Sequence, residues 1–423
     1  LIHAALLSGG HGGEAVSATL LLLAFVLIGA KLAGELTERL GQPAVLGELL
    51  AGILLGNAIA GPWVHELRAS ETFLVLAELG AVLLLFHVGL ESTPREMLAV
   101  GGRAFAVAVV GVVTPMALGW GVGILARPGD SWMLHAFLGA MLCATSVGIT
   151  ARVLDDLGIV RSAAGRIILG AAVIDDVLGL VVLAVISGII TAAGSGNALS
   201  AGAVALIFLK AVLFLVGSLG IGGLLSPRLF AAALALRSRG LVQTLSLSFC
   251  FLMAWAALVA GLAPIVGAFA AGLVLEDVHF ERLKERGEPA LHHSLEPLIG
   301  LFVPIFFVRM GMLVDVRSFF DGSVIVVALA LTAAAVIGKL ACAIAVPPGV
   351  SRLVVGLGMM PRGEVGLIFA GIGATLHLGG RPVIDAGTYA AAVFMVVATT
   401  VATPPALVWA ARRLRSPGTA PVD

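Results

Sequence analysis

The sequence predicts an all-α, polytopic membrane protein. Two observations carry this. Of the 423 residues, 60% are hydrophobic and only 12% are charged, against roughly a quarter charged in soluble globular chains. The apolar residues also gather into runs of ~20, long enough to cross a bilayer as helices. The formal net charge of +0 argues against a nucleic-acid-binding surface. Cys143, Cys250 and Cys342 all lie in apolar segments, as expected of small buried hydrophobes with no disulfide role.

Polar residues, proline and glycine punctuate the chain into thirteen apolar segments: 16–40, 44–60, 72–91, 96–126, 133–155, 163–192, 200–226, 241–261, 263–277, 290–313, 323–346, 351–377 and 386–412. Residues 1–15 have no basic n-region and no small-residue cleavage site, so the first segment is expected to be a span, with no signal peptide. Gly261-Leu262-Ala263-Pro264 alone separates the eighth and ninth segments. Loop charge supports the split. With the N-terminus outside, the cytoplasmic loops hold sixteen Arg and Lys residues, from Arg39 to Arg415. The opposite loops hold four, Arg68, Arg127, Arg317 and Arg381. This is the positive-inside asymmetry, and merging the two segments would destroy it. The run from His279 to Glu288 alternates in charge and reads as a solvated loop.

The remaining basic residues lie within segments. Lys31 and Lys210 have long stems able to snorkel to a headgroup. Arg309, Lys339 and Arg362 lie deeper, with Asp175, Asp176, Glu364, Glu48 and Glu78 as candidate acidic partners. The adjacent pair Asp175-Asp176 sits mid-segment, where each ionised group costs about 2.5–3.5 kcal/mol on insertion scales.

Thirteen spans divide as six, one and six, and the two sets of six then enter from opposite sides. Inverted repeats of this kind put a substrate site near the midplane, where helices are interrupted. The fifth segment carries Thr145-Ser146 within CATSVGIT (Cys143–Thr150). The twelfth carries Pro361-Arg362-Gly363-Glu364, and its proline removes a backbone donor. The sixth and eleventh segments also correspond. A pseudo-two-fold axis between them would bring Asp175-Asp176 to Lys339, where each charge makes the other tolerable.

These residues resemble a family. Gln42-Pro43 with LGELLAG (Leu46–Gly52), LAELGAVLLLFHVGLE (Leu76–Glu91), ATSVGITARVL (Ala144–Leu154), RIILGAAVIDDVLGL (Arg166–Leu180), GLAPIVGAF (Gly261–Phe269) and GMMPRGEVGLI (Gly358–Ile368) occur in the family's order. The chain resembles bacterial sodium/proton antiporters of the monovalent cation:proton antiporter superfamily, most closely the NapA type, over nearly its whole length.

The resemblance implies roles. Asp176 matches the aspartate assigned to cation binding and proton carriage. Asp175 matches the one paired with a lysine, and Lys339 sits where that lysine is expected. Thr145, Ser146, Arg362 and Glu364 match the two crossing broken helices. It also implies a mobile core (95–192 and 323–412) that moves like an elevator against a dimerisation domain (16–91 and 227–313). Residues 200–226 would be a linker helix, 1–15 an extracytoplasmic segment and 413–423 a cytoplasmic tail. The protein would be a homodimer in the bacterial inner membrane. Arg309 and His87 depart from the expected apolar pattern.

An alkali cation is hard and takes oxygen ligands, here Asp176 with Thr145 and Ser146 as further candidates; no Cys/His cluster with transition-metal spacing is present. Ionised Asp176 can bind Na+ or Li+; protonated, it cannot. Competition therefore couples the two fluxes, with no cofactor and no nucleotide motif. The two-aspartate pattern resembles that of electrogenic members. Arg362 and Glu364 would either offset half-helix dipoles or form an ordinary intramembrane ion pair. A K+/H+ antiporter or potassium-efflux system on the same fold is the alternative, and a passive channel a further one. An intramembrane hydrolase fits less well, because adjacent helical residues point about 100° apart and do not face each other as an acid–base pair.

Overall fold

The structure, a computed structural model, describes residues 11–57, 67, 70–91, 101–160, 162–194, 201–235, 241–285 and 291–414. Residues 1–10 and 415–423, and the loop residues Arg68, Arg95, Arg161, Arg237, Arg239 and Arg286, lie outside the described residues. The helices are α1 (His11–Arg39), α2 (Ala44–Asn57), α3 (Glu71–Glu91), α4 (Gly101–Ala126), α5 (Trp132–Met141), α6 (Val147–Asp156), α7 (Ala163–Gly194), α8 (Ala201–Ala235), α9 (Leu241–Val259), α10 (Pro264–Glu285), α11 (Leu291–Met312), α12 (Gly322–Leu340), α13 (Arg352–Gly358), α14 (Glu364–Thr375) and α15 (Ala386–Leu414). Helices dominate because a backbone in lipid must satisfy its own hydrogen bonds. Among the described residues, seven helices are long and apolar enough to cross a membrane, and five further apolar helices are shorter.

Two expectations are corrected. Residues 279–285 of the alternating charge run continue α10 as helix, because Glu, Arg, Leu and Lys are strong helix formers; residues 286–288 lie outside the described residues. The loop between α14 and α15 holds a small antiparallel hairpin, β1 (His377–Leu378) and β2 (Arg381–Pro382). Its turn, Gly379-Gly380, has φ of 59° and 80°, the left-handed pair that a two-residue hairpin loop requires. The expected split between α9 and α10 is present: Gly261 turns the chain at φ 83°, and Leu262 N–H donates to the Ala257 carbonyl at 2.8 Å, a Schellman closure. All three cysteines are buried and free.

The chain divides into two compact units, Leu1–Leu84 with Leu295–Val316, and Leu85–Ser294 with Arg317–Asp423. The first packs through glycine. A Cβ added at Gly47 would come 2.1 Å from the Ala33 carbonyl oxygen, one at Gly52 2.1 Å from that of Val308, and one at Gly311 2.2 Å from that of Leu49. α2 is thus in backbone contact with both α1 and α11, the close approach that small residues allow in membranes. Asn57 closes this packing: its amide donates to Val314 O at 2.8 Å and accepts from Val316 N–H at 3.0 Å.

In the second unit, α4, α6, α7, α13 and α15 share one apolar core, including Val107, Val153, Ile168, Val355, Met359 and Leu407. One end is tied by polar contacts. Asp385 caps α15, accepting from Thr388 N–H at 2.8 Å, and also accepts from the Arg127 guanidinium beyond α4. Half-burial works to raise the Asp385 pKa. Hydrogen bonds from Thr388, then the Arg127 guanidinium, outweigh it and hold the carboxyl below its usual value.

Two outcomes are expected. Gly311→Ala should cost about 3 kcal/mol, because backbone must move to admit the methyl. Gly29→Ala, with nothing within 4 Å of the new methyl, should be neutral; thermal unfolding in detergent compares them. A carboxylate with a lowered folded pKa contributes stability above its unfolded pKa and loses it as pH falls through the folded value. Asp385→Ala should therefore cost about 1 kcal/mol near neutral pH, and the gap from wild type should close at acid pH in the same melts.

Candidate functional site

The second unit buries its charges in one place. Asp175 and Asp176 lie mid-α7 with relative exposures of 0% and 4%. Lys339, at the end of α12, is fully buried and donates from Nζ to Asp175 Oδ1 at 2.6 Å. Two glycines make this meeting possible. Gly338 lets α12 rest on α4, where an added Cβ would fall 2.7 Å from Pro115 Cα. Gly111, one turn before Pro115, faces the pair itself: a Cβ there would lie 3.5 Å from Lys339 Nζ and 3.6 Å from Asp175 Oδ1.

Two helix breaks adjoin the pair. The fifth segment is interrupted between α5 and α6, and the twelfth between α13 and α14. Each break leaves end carbonyls and N–H groups without helical partners, and the two satisfy one another. Ser146 N–H donates to Pro361 O at 2.9 Å. The Thr145 hydroxyl donates to Met359 O at 3.3 Å and that of Thr150 to Gly358 O at 2.6 Å, both at the C-terminal end of α13. The buried Arg362 guanidinium donates to the Ala144 and Cys143 carbonyls just beyond α5. Glu364 opens α14 and accepts from the Ser146 hydroxyl at 3.0 Å. A cation at a helix C-terminus and a carboxylate at an N-terminus both oppose the end charges of the half-helices.

The structure therefore brings Asp175, Lys339, Thr145, Ser146, Arg362 and Glu364 together, with Asp176 adjoining. Asp176 faces the charges of Asp175 and Glu364, with Lys339 the neighbouring cation. Its Oδ1 is buried and has no hydrogen-bond partner among the described residues; the same holds for Asp175 Oδ2. Of these two carboxylates Asp175 is paired with Lys339. Such a site fits a single hard monovalent cation or a proton.

Several site residues escaped the sequence reading. Thr399 and Thr400 on α15 hold the backbone of Arg362, the first accepting from its N–H at 3.3 Å and the second donating to its carbonyl at 2.7 Å. Their signal was the run of threonines ending at Thr403. Gly111 gave no signal. The cation beside buried Glu48 is Lys31 at 3.9 Å, and Lys31 is exposed as expected. Arg309 is half-buried in α11, and His87 in α3.

Apolar helices with two interlocked breaks at a buried carboxylate pair define a secondary ion transporter; this is not an enzyme. The chain belongs to the sodium/hydrogen exchanger transmembrane family, whose pattern matches residues 20–412. It is 36% identical to the high-affinity Na+/H+ antiporter NhaS3 of Synechocystis sp., over 92% of this chain and 89% of that protein. It is 35% identical to the Na+/H+-K+ antiporter GerN of Bacillus cereus, over 91% and 94%. In fold it is similar to the sodium proton antiporter MjNhaP1 of Methanocaldococcus jannaschii, with a TM-score of 0.72 at 17% identity, covering 95% of this chain and 99% of that one.

Removing either support of the breaks should destabilise them. Arg362→Gln leaves buried carbonyls short of a charged donor and should cost about 2 kcal/mol, and Thr150→Val about 1 kcal/mol. Unfolding midpoints in detergent measure both.

Proposed function

We propose that this protein exchanges Na+ for H+ across the bacterial cytoplasmic membrane, with cation and proton competing for Asp176. The buried Asp176 Oδ1, without a hydrogen-bond partner among the described residues, carries the reading. Deprotonated, Asp176 offers that oxygen to the cation, and the Thr145 and Ser146 hydroxyls can add lone pairs. Protonated, the carboxyl is neutral and no longer attracts a cation.

The Asp175–Lys339 pair opens when the cation binds. Thirteen spans in inverted repeats, the N-terminus outside and the C-terminus cytoplasmic, agree with the loop charges. A core of 95–192 and 323–412 would move like an elevator against the dimerisation domain of a homodimer in membrane lipid, without a cofactor. Li+ is a second candidate cargo. K+ is the runner-up, favoured by the K+ in the name of one relative.

Proteoliposomes with a pH-sensitive dye, challenged with Na+, Li+ and K+ at several pH values, test this. Asp176→Asn should insert and fold but give no cation-driven proton movement; wild-type exchange by that variant would overturn the assignment. Lys339→Ala should alter the pH profile or the charge moved per cycle more than expression.

A further inference from the structure

The mechanism above leaves one group without a place. When the cation opens the Asp175–Lys339 pair, the fully buried lysine ammonium must either lose its proton or find another oxygen. The groups around Lys339 are Asp175 and Asp176 from α7, the second of them taken by the cation, the Arg362 guanidinium and the Cys143 thiol from the breaks, and Cys342 beyond its own helix. Arg362 repels it. The Cys143 thiol is already directed to the Gly139 carbonyl at 3.4 Å and that of Val112 at 3.6 Å.

α4 presents backbone at this level. Gly111 is buried, and only a hydrogen stands between its Cα and the ion pair. Four residues on, Pro115 lies inside the helix. A proline has no N–H, so the carbonyl of residue i−4, here Gly111, loses its α-helical donor. In a membrane helix such a freed carbonyl needs another partner. Pro115 is also the residue on which Gly338 docks, so the residue that frees the carbonyl also seats the helix that carries Lys339.

We propose that the Gly111 carbonyl is the second acceptor of Lys339, receiving the ammonium when the cation displaces it from Asp175. Gly111 and Pro115 are thus positioning residues of the exchange cycle, and the proposal rests on the reading of the Asp175–Lys339 pair given above. The ammonium moves between two oxygens on different helices, and cation binding need not strip its proton.

Pro115→Ala tests this directly. It keeps the Cα and Cβ that meet Gly338, and it restores an N–H that takes up the Gly111 carbonyl. In proteoliposomes the KM for Na+ should rise about 10-fold at the acid end of the active range, the scale of losing an acceptor to a charged donor. kcat should stay within about twofold. The rise should shrink toward alkaline pH, where Lys339 can shed its proton instead, so the optimum moves upward. Gly111→Ala, whose methyl makes ordinary 3.5–3.6 Å contacts, should move KM and pH profile the same way, and decides the matter if Pro115→Ala unfolds. A structural role alone would lower the unfolding midpoint and leave KM and the pH optimum unchanged. Wild-type KM and pH profile in the folded variants, with Asp176→Asn inactive, would overturn this proposal while leaving the exchange site intact. Activity in Asp176→Asn would instead overturn the site itself.

Discussion

Lys339 and Asp175 meet at 2.6 Å with neither side chain exposed. Burying either charge alone would cost several kcal/mol even after relaxation, so each depends on the other staying within reach. That demand governs the packing around them. α12 must lie against α4, and Gly338 on Pro115 permits it; α4 must bring no side chain to the pair, and Gly111 satisfies this. A side chain at Gly338 would drive the helices apart, and one larger than a methyl at Gly111 would press on the charges.

The two helix breaks are a solution to a related problem. One broken helix in lipid would expose end carbonyls and N–H groups with no water to take them. Two breaks side by side exchange those groups. Ser146 N–H reaches Pro361, Thr145 and Thr150 reach the end of α13, and Arg362 reaches the end of α5. The arrangement yields a polar seam at helix depth, and Thr399 and Thr400 fix its most charged member. Among the described residues it leaves over two Arg362 guanidinium nitrogens and carboxylate oxygen on Asp175 and Asp176, and at the carboxylates a hard cation or a proton finds a ligand.

The first unit is built on a different principle. Its helices touch backbone to backbone through Gly47, Gly52 and Gly311, and Asn57 ties the end of α2 to the chain beyond α11. Buried Glu48 stands 3.9 Å from a lysine whose side chain is 59% exposed, a looser arrangement than the 2.6 Å contact in the second unit.

The sequence by itself determined the membrane class, the positions of the apolar segments and the identity of the buried charges. Composition and loop sign act locally, and a carboxylate in an apolar run is conspicuous wherever the run packs. It also marked both breaks, since Pro361 forbids a continuous helix and the Thr145-Ser146 pair offers substitutes for lost bonds. Lengths were less legible: α8 and α10 run past their expected ends, because helix propensity continues where hydrophobicity stops. Only the tertiary structure decided which carbonyls the threonines and Arg362 would cap, that Lys31 would stand by Glu48, and that Gly111 would face the ion pair. Those outcomes depend on which helix lies across which, and a glycine or a backbone carbonyl carries no side-chain signal until a distant helix is laid against it.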